Sequence, residues 1–174
     1  SFSNNSNIVK TLGEITVNRC HKNKIISVIK HIPGHGSATS DSHHKMPKVN
    51  LSYKELNQID FKPFKNNSAK LAMTAHILYK KIDPYNVATF SKKTILETIR
   101  GKIGFQGILM SDDISMKALK HDLITNAQKS LEAGCNLVLY CAGNIDDNFK
   151  LIKSVPFIDE FTAKKTSEIY KILR

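Results

Sequence analysis

Four short apolar runs, residues 24–32, 70–77, 107–114 and 136–141, alternate along the chain with stretches of helical periodicity. The first, KIISVIKHI, is β-branched and apolar almost throughout, without the polar alternation of a half-solvated strand. A strand apolar on both faces is buried on both faces, which suits a parallel sheet covered by helices. The intervening segments fit that reading. Residues 8–20 place Ile8, Leu12, Ile15 and Arg19 at helical spacing. Ser52 with Glu55 forms a capping box and predicts a helix starting near Tyr53. Ser91 is predicted to cap a helix with Ile95, Leu96 and Ile99 inward, ending near Gly101. Residues 122–133 read as helix up to Gly134, and 144–154 and 159–173 as closing helices. The fold class predicted is α/β. Four strands are too few to close an eight-stranded barrel; they suit half of a (β/α)8 barrel or a small open sheet.

Composition narrows the function classes. The 174 residues are one domain's worth, and 41% hydrophobic with 24% charged is ordinary for a globular chain. Collagen, coiled coil and wholesale disorder are excluded. No apolar run approaches the roughly 18–20 residues of a membrane span, so no membrane partner is expected. The polar start, SFSNNSNIVK, has no signal-peptide core and no initiator Met, so the chain reads as processed, trimmed or a fragment. Cys20, Cys135 and Cys141 are odd in number without metal-like spacing, which suits a cytoplasmic location. The net charge of +11 invites a nucleic-acid reading. Only Arg19, Arg100 and Arg174 among the 26 basic residues are Arg, however, and Arg is the residue of bidentate base and phosphate contacts. The Lys excess travels with Ile and Asn and is read as codon bias, so no nucleic-acid partner is expected.

Polar residues fall where chemistry belongs. The first run ends in Lys30-His31, the second in Thr74-Ala75-His76, the third in Ser111-Asp112-Asp113 and the fourth in Tyr140-Cys141. Parallel α/β folds keep their active sites at the carboxyl ends of strands. Three successive reactive endings point to a catalytic face.

The stretch Lys30 to Pro47, KHIPGHGSATSDSHHKMP, is the richest. Pro33, Gly34 and Gly36 break any helix, so it is a long loop after a strand. Within it, Asp41 two residues before His43 suits a dyad in which the carboxylate sets the imidazole tautomer and raises its basicity. No Gly-x-Ser-x-Gly surrounds any Ser, which argues against a serine hydrolase. His31 and His35 lie four apart, but Pro33 and Gly34 forbid the helix that would pair them on a metal. The bland alternative is a solvated His-rich loop. Adjacent Asp112 and Asp113 point to different sides of a strand, one toward the site and the other capping a following turn, where Ile114 to Leu119 looks helical. Lys30 as a snorkelling cation and His76 as a structural imidazole are the plainer readings of those two.

Taken together, Lys30-His31-Ile32-Pro33-Gly34-His35-Gly36, then Asp41-Ser42-His43 and Pro47, resemble the signature of glycoside hydrolase family 3 β-N-acetylglucosaminidases of the NagZ type. The family usually has Phe at the position of Ile32. Met73-Thr74-Ala75-His76 and the run Gly107 to Met116 match its next two strand ends, and the likeness covers roughly residues 20 to 143. The resemblance implies a (β/α)8 barrel that removes terminal non-reducing β-N-acetylglucosamine from muropeptides or related glycans during cytoplasmic peptidoglycan recycling. It implies Asp112 as nucleophile, His43 as general acid/base with Asp41 as its partner, and Lys30, His31 and His76 as substrate-binding residues. No cofactor and no metal is implied.

The likeness also implies that this single domain supplies about the last four β/α units of the barrel and is incomplete on its N-terminal side. An upstream Asp and Arg of the family's sugar site are not in the sequence. The expectation is a half barrel with two open sheet edges, poorly stable or self-associating, completed by a separate N-terminal half or a second copy. A catalytically inactive remnant or sugar-binding module is the alternative, and a basic nucleic-acid-binding domain a weaker one.

Overall fold

The computed structural model describes residues 2–38 and 46–174. In chain order it forms α1 (Ser6–Lys22), β1 (Val28–Ile32), β2 (Lys48–Val49), α2 (Tyr53–Gln58), β3 (Leu71–Thr74), β4 (Leu78–Tyr79), a π-helical segment Thr94–Ile103, β5 (Ile108–Asp113), α3 (Leu123–Ala133), β6 (Leu137–Leu139), α4 (Ile145–Ser154) and α5 (Glu160–Leu173). The main sheet is parallel throughout, in the order β1-β3-β5-β6. This is the α/β architecture expected, with four parallel strands and helices between them.

Local chemistry starts and stops the helices. Asn5, Asp122, Asn144 and Asp159 each accept a backbone N–H from the first turn of α1, α3, α4 and α5. Both arms of the Ser52–Glu55 capping box are present at α2. Gly134 ends α3 with φ +115°, a left-handed conformation that a side chain would resist. The core lies where the sheet meets its helices: Ile32, Phe61, Ala72, Ile95, Ile99 and Leu109 are fully buried.

Several expectations need correction. Strand β1 begins at Val28 rather than 24, because Lys24 takes a positive φ of 57° and Ile25 is exposed. The other main strands are also shorter than their apolar runs. Leu96 is half exposed; it lies one residue past the inward Ile95, and neighbours on a helix do not share a face. That helix passes through Gly101 and ends at Gly104, φ +81°. Residues 114–119 form turns instead of a helix. The small parallel sheet of β2 and β4 was not foreseen; strands of two residues carry too little pattern to read.

The edges of the main sheet are β1 and β6. The flanking helices carry exposed apolar residues, Ile8, Leu12 and Ile15 on α1 and Ile145, Phe149 and Ile152 on α4. No helix among the described residues is long and apolar enough to cross a membrane.

Candidate active site

Two of the predicted site residues come together at irregularities in the sheet. Lys30 pairs with Met73 and Ile32 with Thr74, so β1 has one extra residue, His31, against β3. Met110 pairs with Leu137 and Asp113 with Leu139, so Ser111 and Asp112 together oppose a single residue of β6. Such bulges re-aim side chains and recur beside active sites. The outcome is that His31 Nε2 lies 3.5 Å from Asp112 Oδ2. The two side chains are 29% and 15% exposed, so the pair is accessible yet largely desolvated.

Asp112 and Asp113 divide their work as the strand geometry requires. Asp113 Oδ1 accepts the amides of Ser115 at 3.0 Å and Cys141 at 3.1 Å, and its Oδ2 accepts the Ser115 hydroxyl at 2.7 Å. It therefore ties the turn after β5 to the end of β6. Asp112 Oδ1 accepts the Asp113 amide at 2.9 Å, leaving Oδ2 toward His31. Ser111 is buried and receives the Leu139 amide at 3.0 Å, which holds the bulge.

His76 is 1% exposed, and both ring nitrogens are engaged within the protein. Nε2 lies 3.0 Å from the Asp113 carbonyl, and Nδ1 lies 2.8 Å from Thr89 Oγ1. A carbonyl only accepts, so Nε2 carries the proton. Burial pulls the His76 pKa down, against the raising pull of the Asp113 carbonyl and the two carboxylates, and keeps the ring neutral. Nδ1 then accepts the Thr89 hydroxyl, and Thr74 donates to Thr89 at 2.8 Å. The result is a buried relay from β3 to the backbone of Asp113. His76 is thus tied within the protein to the backbone of Asp113. Thr89 carries no sequence signal of this role.

Lys30 is exposed at the rim. Burial also lowers the His31 pKa, with Lys30, His35 and His76 adding to the effect and Asp112 opposing it. His31 is thus neutral at pH 7 and can donate or accept without neutralising Asp112. The His35 ring meets that of His31 edge-on, centroids 5.8 Å apart. Together with Asp60 they line a cleft of about 630 Å³ that reaches the start of α1 at Ser3 and Asn4. That volume is in the range of small-molecule sites. Asp41 and His43 lie outside the described residues. Asp60 was missed by sequence reasoning; a single Asp after a short helix gives no signal by itself.

On the opposite end of the sheet, Arg100 donates to the carbonyls of Phe105 at 3.1 Å and Gly107 at 2.7 Å and to Asn136 Oδ1 at 2.9 Å. Asn136 also takes the Leu109 amide and donates to Thr162. This network braces the amino ends of β5 and β6 and leaves the carboxyl ends free for chemistry.

The fold and site thus define a parallel, barrel-type α/β protein with a carboxylate and an imidazole meeting at its strand ends. Residues 1–165 match the glycosyl hydrolase family 3 N-terminal domain. The chain belongs to that family. It is 37% identical over 147 residues to a beta-hexosaminidase of Tolumonas auensis, covering 81% of this chain and 44% of the relative. A beta-hexosaminidase of Nitrosomonas eutropha is 30% identical over 174 residues, 97% of this chain and 49% of the relative. NagZ from Neisseria gonorrhoeae, solved in complex with N-trifluoroacetyl-D-glucosamine, superposes with TM-score 0.81 at 29% identity, over 95% of this chain and 49% of that one. CbsA from Thermotoga neapolitana superposes with TM-score 0.84 at 30% identity, over 99% and 42%. The chain spans about half the length of the curated relatives it matches.

Proposed function

We propose that this chain carries the catalytic carboxylate of a retaining β-N-acetylhexosaminidase. The observation that carries the reading is Asp112: its Oδ2 stands at a bulge on the strand-end face, beside a neutral His31. The relatives named beta-hexosaminidase support the substrate class, a glycan ending in β-N-acetylglucosamine. Asp112 Oδ2 attacks the anomeric carbon, and the bond to the leaving oxygen breaks. His43, oriented by Asp41, gives that oxygen its proton and then takes one from the water that cleaves the glycosyl-enzyme. Two displacements leave the anomeric configuration unchanged. Lys30 and His31 bind sugar hydroxyls from the first strand end. His76 positions Asp113 and, through the adjoining peptide, Asp112.

The muropeptides of peptidoglycan recycling in the cytoplasm are the natural setting in this reading. Edge strands β1 and β6, with exposed apolar residues on α1 and α4, favour activity in a barrel closed by further β/α units or by a second copy. Incubating the protein with 4-nitrophenyl N-acetyl-β-glucosaminide at neutral pH, with Asp112→Asn as control, tests the reading. Nitrophenol release lost in the control supports it. Equal release by both disproves the assignment of Asp112.

A further inference from the structure

One carboxylate in the cleft has no place in the chemistry above. Asp60 is only 4% exposed, and its Oδ2 is buried without a hydrogen-bond partner among the described residues. A buried carboxylate with an idle oxygen is costly, and packing alone does not account for it. Its other oxygen, Oδ1, accepts the Ser37 amide at 2.9 Å.

The loop lies directly on this residue. A Cβ on Gly34 would stand 2.5 Å from the Asp60 carbonyl oxygen and 2.6 Å from its Cβ, and Gly34 has φ +151°. A Cβ on Gly36 would stand 2.9 Å from Asp60 Oδ1. Both glycines therefore serve close approach to one side chain. Tyr79, fully buried, donates its hydroxyl to the Gly34 carbonyl from the other side. Asp60 itself is rigidly placed, between the end of α2 and the fully buried Phe61, whose amide bonds back to Leu56. Ala38 is the last described residue before Asp41 and His43.

We propose that Asp60 is a positioning residue of the loop after β1: by accepting the Ser37 amide and packing against Gly34 and Gly36, it fixes the described root of the segment whose sequence carries Asp41 and His43. The proposal rests on the glycosidase reading, which supplies the role of His43. Misplacement of a catalytic group by about 1 Å costs on the order of a hundredfold, so a fixed root matters.

The test compares Asp60→Ala, Asp60→Asn and Gly36→Ala by amide exchange and by kinetics. Exchange at Ser37 is expected to rise roughly tenfold or more in Asp60→Ala and to stay within about threefold of wild type in Asp60→Asn, which keeps an acceptor. Kinetics use two N-acetyl-β-glucosaminides, one 4-nitrophenyl and one alkyl. Nitrophenol departs with little proton assistance, whereas an alkoxide requires it. Asp60→Ala is expected to lose roughly tenfold more kcat/KM on the alkyl glycoside than on the nitrophenyl one, with Asp60→Asn largely rescued. Gly36→Ala, which leaves Asp60 in place and lifts the loop from above, is expected to show the same selective loss. Unchanged Ser37 exchange in Asp60→Ala, or equal loss on both glycosides, overturns the proposal. If the wild-type protein cleaves neither glycoside, the functional reading falls, and the Ser37 exchange rates alone decide whether Asp60 fixes the loop root.

Discussion

His31 Nε2 stands 3.5 Å from Asp112 Oδ2, and each residue occupies a one-residue bulge against its neighbouring strand. At that distance the contact is looser than a good hydrogen bond. It leaves Asp112 Oδ2 unblocked while keeping a polar neighbour that water would otherwise have to supply. Regular pairing would have turned one of the two side chains toward the opposite face.

Removal of that neighbour has a defined effect. His31→Ala is expected to lower kcat/KM by roughly threefold to tenfold, the scale of one hydrogen bond between neutral groups, because the 3.5 Å contact with Asp112 is loose. The far-ultraviolet circular dichroism should be unchanged, since His31 is not in the core. Steady-state kinetics on the nitrophenyl glycoside checks this.

Acid stability follows from the buried imidazoles. The His76 pKa is lowered by burial, so the unfolded chain binds a proton before the folded one does. Its contribution to stability is complete above the unfolded value of about 6.5 and declines as pH falls from there toward the folded value. Thermal melts between pH 7.5 and 5 should show a falling Tm, and His76→Gln should flatten that slope. A separate loss belongs at lower pH. Burial raises the Asp83 pKa, but bonds from Ser91, Tyr85 and Asn86 outweigh it and hold the net value low. Its contribution is present above the usual carboxylate range and disappears only as pH falls below it.

Arg100 makes a stability prediction away from the chemistry. Arg100→Lys cannot reach the Phe105 and Gly107 carbonyls and Asn136 together, because an ammonium lacks the planar fork. Loss of buried hydrogen bonds on this scale costs about 2–4 kcal/mol. Urea denaturation measures it. The ratio of kcat/KM values for the two glycosides should not move.

The exposed faces predict association. Ile145, Phe149 and Ile152 are exposed and stand on one side of α4. An apolar stripe of that kind marks a contact surface. Changing Phe149 and Ile152 to Lys should reduce any concentration-dependent growth in mass seen by light scattering. Unaltered association would place the contact elsewhere.

The strand ends were legible because buried parallel strands are apolar, which makes a terminal Lys-His or Asp-Asp conspicuous. The capping box was legible because a cap is a local hydrogen bond between near neighbours, as at Ser52 and Glu55. Bulges were not: nothing in KHI or MSDD distinguishes a regular ladder from one with an extra residue, since the partner strand decides. Asp60 and Thr89 were hidden for a related reason. Their significance lies in residues far along the chain, Gly34 to Ser37 for one and Thr74 with His76 for the other. Leu96 misled because apolarity was read as inwardness.

The central claim is that Asp112 forms a covalent bond to the sugar. The direct measurement is to react the protein with a 5-fluoro N-acetylglucosaminyl fluoride, digest it, and locate the sugar by mass spectrometry. The expected result is one adduct, on Asp112 in the peptide containing Ser111-Asp112-Asp113, and none in Asp112→Asn. An adduct on another residue, or turnover of the nitrophenyl glycoside with inverted product and no adduct, would contradict the account.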